Sequence, residues 1–207
     1  MAEPSQEHAT IVLGELRARD RYRLLTSLVV PRPIAWASTW SADGTPNLAP
    51  FSYFAALSST PALVGISVGA RGGVPKDTLE NARETGALCV NVVTERQFEA
   101  MNATSAEVGR EVDEFLLAGL EARPSSRVRA PYVAGCPAVL ECEVRQETVL
   151  HGSSNVLLIA EIMGVLLAQE LLPDEGYAVD PGRLAPVGRL GGEGYMMPGA
   201  FRFIPRP

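Results

Sequence analysis

A chain of 207 residues, 46% hydrophobic and 20% charged, has the make-up of a soluble globular protein with enough apolar material for one sizeable core. Its net charge of −6 offers no basic face for neutralising a run of phosphates, which excludes a general nucleic-acid binder and requires any anionic ligand to be held locally. The opening MAEPSQEHAT lacks the basic and apolar regions of a secretory leader, and every apolar run is broken before membrane-spanning length, so a single cytoplasmic domain with no membrane partner is expected.

Taken in chain order, the pattern predicts a short helix over 20–28, then a strand in IAWASTWS (34–41), where bulky and small residues alternate as on a strand with two different faces. A turn at Ala42, Asp43 and Gly44 leads into PNLAPFSYFAALS and ALVGISVG, two extended segments bounded by Pro46, Pro61 and Gly69. Pro50 interrupts the first of these. Proline cannot donate to a ladder, so it implies a bulge or a sheet edge, where backbone groups are free to meet a ligand.

KDTLENARETG reads as a short helix capped by Asp77 or Thr78 and stopped by Gly86. ALCVNVV is a buried strand, ERQFEAMNAT and VDEFLLAGL are helical pieces, and AVLECEVRQETVL with SNVLLIAEIMGVLLAQ forms a long antiparallel pair. Residues 172–198, rich in Gly and Pro, make a loop-rich closing tail. Strands outnumber helices without regular alternation, which points to a mainly-β barrel with peripheral helices and away from a doubly wound sheet.

Chemistry-bearing residues are sparse. Cys89, Cys136 and Cys142 are odd in number and sit in strand-like apolar surroundings, as buried reduced thiols do, and His8 and His151 are far apart with no CxxC or HExxH spacing, so no metal site is expected. Of eighteen Lys and Arg residues, Lys76 is the only lysine. It stands at the predicted start of a helix, whose unpaired N–H groups and dipole favour an anion, with the Thr78 hydroxyl as a further donor. Asp77 fits such a cradle only as a cap turned away from it. The preceding GARGGV is not a Walker loop, because Asp follows the lysine and the glycine spacing differs, and no GxGxxG marks a separate Rossmann domain.

PRPIAWAST (31–39), DGTPNLAPFSYF (43–54), KDTLENARETG (76–86), VDEF (112–115), LECEV (140–144) and RLGGEGY (189–195) occur in the order seen in the flavin reductase-like family, which the chain resembles over roughly residues 22–195. The resemblance implies an FMN-binding split β-barrel, an antiparallel Greek key with peripheral helices, that forms a homodimer with FMN near the subunit interface. It also implies flavin reduction by NADH or NADPH, hydride passing from the nicotinamide C4 to the flavin N5, and a flavin-dependent monooxygenase or other electron acceptor as partner.

Carried over by motif, Ser38 and Thr39 approach the flavin with backbone and hydroxyl groups, while Asn47, Ala49, Pro50, Phe51 and Ser52 line the ring and ribityl path. Lys76 and Thr78, with Asp77 between them, stand at the phosphate, and Arg189 and Tyr195 belong to the family's C-terminal element near the cofactor. No catalytic acid or base is implied. Two alternatives stand beside this reading. One is a non-enzymatic flavin or electron carrier on the same fold. The other is a serine hydrolase through Gly65–Ile66–Ser67–Val68–Gly69, which formally matches GxSxG, with Asp77 or Asp113 and then His151 downstream. Against it, Ile66 and Val68 favour an extended Ser67 and no helix follows directly.

Overall fold

The structure, a computed structural model, describes residues 8–205, with the backbone alone of Arg71; residues 1–7, which contributed to the expectation about the chain start, lie outside the described residues. Seven antiparallel strands form the main sheet: β1 (Ala35–Trp40), β2 (Pro46–Phe51), β3 (Phe54–Ser59), β4 (Ala62–Val68), β5 (Ala87–Val92), β6 (Ala138–Val149) and β7 (Val156–Leu167). Their order is β2-β1-β5-β6-β7-β4-β3. Five helices lie around it among the described residues: α1 (Ala18–Leu28), α2 (Asp77–Thr85), α3 (Phe98–Ala103), α4 (Glu114–Leu117) and α5 (Pro181–Leu184).

The stretch PNLAPFSYFAALS is two strands rather than one. β2 and β3 occupy opposite edges of the sheet, yet only Ser52 and Tyr53 separate them. Three peptide steps reach at most about 11 Å, so the sheet must roll until its edges approach, although no ladder joins them among the described strands. Pro50 accordingly marks an edge and not a bulge: it pairs with Trp36 in an unshifted register, and among the described residues no strand pairs with the other side of β2.

Alternation along β1 divides the core. Ala35 and Ala37 point into one cluster with Phe51, Ile66, Val90 and Leu158, while Trp36 joins Leu48, Met101, Phe115 and Val133 on the other side. The indole of Trp36 donates to Thr104 Oγ1 at 2.9 Å, tying β1 to the segment after α3. A hairpin unforeseen in the sequence, Ala122–Pro124 with Pro131–Val133, covers a third cluster around Cys89 and Val139.

Helix α2 ends as expected, with Gly86 left-handed at φ 71° and its N–H bonded to Ala82 O at 2.9 Å. Its start differs from expectation. Lys76 occupies the N-cap position and neither Asp77 nor Thr78 caps, so the first turn carries no side-chain cap. In α4, Asp113 does cap, accepting from the N–H groups of Phe115 and Leu116 at 2.8 and 3.1 Å.

The closing tail holds more order than a loop. Gly188–Arg189 pairs with Arg32–Pro33 and with Tyr195–Met196, which brings RLGGEGY beside the PRPIAW segment. Among the described residues, no helix is long and apolar enough to cross a membrane.

Candidate functional site

Two cavities meet along the β2 edge. The first, about 500 Å³, is walled by Asn47, Ala49 and Pro50 of β2, by Lys76, Asp77 and Thr78 at the start of α2, and by Ser105, Arg110 and Glu114. The second, about 540 Å³, is walled by Tyr22, Ile34, Phe98, Met101, Arg189 and Tyr195 together with Pro50, Ser52 and Ser105. Pro50 and Ser105 belong to both, so the two form one trough with a charged end at the start of α2 and a second end where Tyr22, Phe98 and Tyr195 stand beside Asn102, Arg189 and Glu193.

A buried hydrogen-bond chain builds the polar end. Thr78, 2% exposed, donates its hydroxyl to Asn47 Oδ1 at 2.7 Å, and Asn47 Nδ2 donates to Glu114 Oε1 at 2.9 Å. Glu114 Oε2 accepts from the Leu48 N–H at 3.1 Å. Burial pushes the Glu114 carboxyl above the usual carboxylate range, the Leu48 and Asn47 hydrogen bonds oppose that shift, and the nearby charge of Asp77 adds to it. Arg110 reaches Asn81 Oδ1 at 3.1 Å, pairs with Glu80, and stands 3.6 Å from Asp77. Lys76 is exposed, its ammonium 5.3 Å from the ring centroid of Phe51.

At the aromatic end, Tyr195 meets Phe98 edge-on with centroids 4.7 Å apart, and the Arg189 guanidinium lies 4.3 Å from the Tyr195 ring centroid while donating to Gly192 O. Below it, Arg32 is 6% exposed and donates to the carbonyls of Thr26 and Val29 at 2.8 Å, to Leu190 O at 3.0 Å and to Ser52 Oγ at 3.4 Å. This one guanidinium fixes the end of α1, the β2 exit and the closing tail together.

Asn47, Ala49, Pro50, Ser52, Lys76, Asp77, Thr78 and Arg189 are thus brought to one trough. Ser38, Thr39 and Phe51 are outside its wall. The Ser38 hydroxyl donates to Pro131 O at 2.6 Å and accepts from Asn91 Nδ2 at 2.9 Å, and Thr39 Oγ1 accepts from Asn81 Nδ2 at 3.1 Å. Both side chains are fully buried because β1 lies between β2 and β5 and is covered on each face, so their hydroxyls serve the scaffold. Phe51 is core, and touches the trough only through the Lys76 ammonium over its ring. Thr78 likewise spends its hydroxyl proton on Asn47, leaving its backbone N–H as the donor it offers at the helix start.

Arg110, Ser105, Phe98 and Tyr22 carry no motif of their own, and Glu114 was visible only as part of VDEF. Ser67 sits extended within β4, paired with Leu157, and accepts from Asn155 Nδ2 at 3.2 Å, so the strained strand-to-helix elbow of a hydrolase is not formed there. The three cysteines are free thiols. Burial pushes Cys136 up to about 11 and Cys142 up to about 12, and raises Cys89 as well.

Comparison with known proteins places this chain in a defined class, the flavin-reductase type of oxidoreductase. A model of the flavin reductase like domain matches residues 27–184, and the chain belongs to that family, whose fold is the FMN-binding split barrel. An uncharacterised protein of Halalkalibacterium halodurans is 38% identical over 197 residues, 93% of each chain, and another from Deinococcus radiodurans is 38% identical over 193 residues, covering 90% of this chain and 84% of that one. Among solved structures, nitrilotriacetate monooxygenase component B from Bacillus cereus superposes with a TM-score of 0.92 at 30% identity, covering 97% of this chain and all of the other. The 2-nitrobenzoate 2-nitroreductase NbaA of Pseudomonas fluorescens does so with a TM-score of 0.88 at 28% identity over 96% of each chain.

Proposed function

We propose that this protein is an NAD(P)H:flavin oxidoreductase holding FMN along the trough, with the phosphate at the start of α2 and the ring system toward the aromatic end. The observation that carries this reading is the lone lysine at the uncapped head of a nine-residue helix, in the wall of a cavity that opens onto an aromatic chamber. The donor set fits the group. The N–H groups of Asp77 and Thr78, the Lys76 ammonium and the Arg110 guanidinium suit a phosphate, and Phe98, Tyr195 and Ile34 suit a flat ring. Between them, the open side of β2 presents strand backbone not used in a ladder, alongside Asn47, Ala49 and Ser52.

When bound, the flavin supplies the hydride-accepting chemistry, with NADH or NADPH as donor. The chain's own task is to bind and orient. Lys76 and α2 hold one end, Pro50 and Ser105 define the waist, and the Arg189–Tyr195–Phe98 wall excludes water from one side of the ring chamber. No side-chain proton transfer is required.

A homodimer, which the family resemblance implies, is part of this reading, and surface left bare in one copy supports it. Residues 55–59 of edge strand β3 are exposed throughout, and Tyr22, Leu25 and Leu28 form an exposed stripe on α1. By likeness to the monooxygenase component, reduced flavin is passed to a monooxygenase partner. The test is a visible titration of the purified protein with FMN, followed by NADH and NADPH separately without oxygen. Binding and rapid bleaching by one nucleotide support the reductase; binding without bleaching supports a flavin carrier, and failure to bind overturns the assignment.

A further inference from the structure

The polar cavity has a charge balance that a phosphate site does not call for. Its wall carries Lys76 and Arg110 but also Asp77 and Glu114. Asp77 lies 3.6 Å from Arg110, and both are partly open to water. Glu114 is different. It is 7% exposed and accepts from two neutral donors, the Asn47 amide and the Leu48 N–H. The charged groups sharing its cavity wall are Asp77 and Lys76 from α2 and Arg110 from the segment before α4, whose guanidinium is held by Glu80 and lies 3.6 Å from Glu84; β2 contributes only neutral groups, and Asp113 on its own helix is engaged in capping. An ionised carboxylate this buried would share about 500 Å³ with an incoming phosphate dianion.

We propose that Glu114 takes up a proton from solvent when a phosphate ester enters this cavity, so that ligand binding is proton-linked and the site loads more readily as pH falls. The inference rests on the phosphate placement proposed above. A protonated carboxyl keeps acceptor capacity for the Asn47 and Leu48 N–H groups, so the scaffold persists while the repulsion disappears. The direction in which Glu114 is already shifted runs the same way, since burial, helped by Asp77, outweighs the Leu48 and Asn47 hydrogen bonds and favours the neutral form.

The sign follows from linkage. Affinity is greatest below the ionisation range of Glu114 in the free protein, falls by up to about tenfold per pH unit between the free and bound ranges, and levels off above the bound one. The phosphate itself works in the opposite direction, because a cationic site lowers its second ionisation, near pH 6, and so releases protons on binding. Proton uptake therefore separates Glu114 from the ligand.

The experiment is calorimetric titration of the full chain with FMN and with riboflavin, near pH 7.5, in two buffers of different ionisation enthalpy, repeated with Glu114→Gln. Expected are uptake of up to about one proton per FMN, none for riboflavin, and loss of the uptake in the variant, which also binds FMN more tightly than the unmodified protein at high pH. FMN binding without buffer-dependent heat, or with the same uptake in Glu114→Gln, overturns the proposal while leaving the flavin reading intact. Absence of FMN binding to the unmodified protein overturns both. Should that variant not fold, Asp77→Asn decides: uptake that persists in it leaves Glu114 as the carboxylate of the wall that takes the proton, and uptake lost in it overturns the proposal.

Discussion

Replacing Lys76 with alanine separates phosphate recognition from ring recognition. An ammonium about 4 Å from a phosphate oxygen, at an effective dielectric near 20, gains roughly 4 kcal/mol per unit charge before desolvation. Lys76 is exposed, so water screens part of this. Its existing contact with the Phe51 ring, 5.3 Å from the centroid, is worth about 0.5–1 kcal/mol and is weakened when the ammonium turns to a ligand. A net contribution of about 1.5–3 kcal/mol remains for a charge-assisted bond. The expected outcome for Lys76→Ala is a rise in the FMN dissociation constant of about ten- to 150-fold. Riboflavin, which lacks the phosphate, should change by less than about threefold, since the α2 N–H groups and the aromatic chamber are untouched. Flavin fluorescence quenching measures both constants on one preparation. Equal losses for the two ligands would refute the reasoning, because the lysine would then act through the ring chamber or through stability.

Three further outcomes are expected. Ser67→Ala should leave FMN affinity and nicotinamide oxidation unchanged, because Ser67 Oγ meets only Asn155 within the sheet; loss of an esterase activity in that variant would return the hydrolase reading. Leu57→Lys, at a side chain 48% exposed on edge strand β3, should turn the proposed dimer into a monomer by light scattering and release FMN on dilution, whereas a flavin-loaded monomer would contradict the proposed placement of the site near a subunit interface. Cys136 and Cys142, at about 11 and about 12, lie above the unfolded thiol value of about 8.5, so their contribution to stability is complete below that pH and is lost as pH rises toward the folded values. Denaturant midpoints should therefore fall between about pH 8.5 and 11, and native thiols should resist alkylation at pH 8; rapid labelling of the folded protein would show that burial does not protect them.

Much of the candidate site was legible because its parts are local. A lone lysine followed by a helix and a left-handed Gly86 describes an anion-ready helix start whatever the rest of the chain does, and Pro50 excludes a central strand by its missing N–H alone. The alternation in IAWASTWS likewise depends only on the two-residue period of a strand, and it correctly divides Trp36 from Ala35 and Ala37. Those signals are carried by neighbours in sequence, so composition and spacing suffice.

What a hydroxyl or carboxylate faces is set by distant segments. The family resemblance implied that Ser38 and Thr39 approach the flavin, but their hydroxyls bond within the scaffold because the Pro131 segment and α2 close over β1 from opposite sides. Glu114, an unremarked member of VDEF, became a buried wall of the trough because α4 packs on β2 and delivers its carboxylate to Asn47 and Leu48, more than sixty residues away in sequence. The sequence by itself determined the long strands, the helix after Lys76 and the candidate anion-binding position at its start, because each is a local signal. Only the tertiary structure, by rolling β2 and β3 to the two edges of one sheet, decided which polar atoms meet solvent and which must satisfy one another.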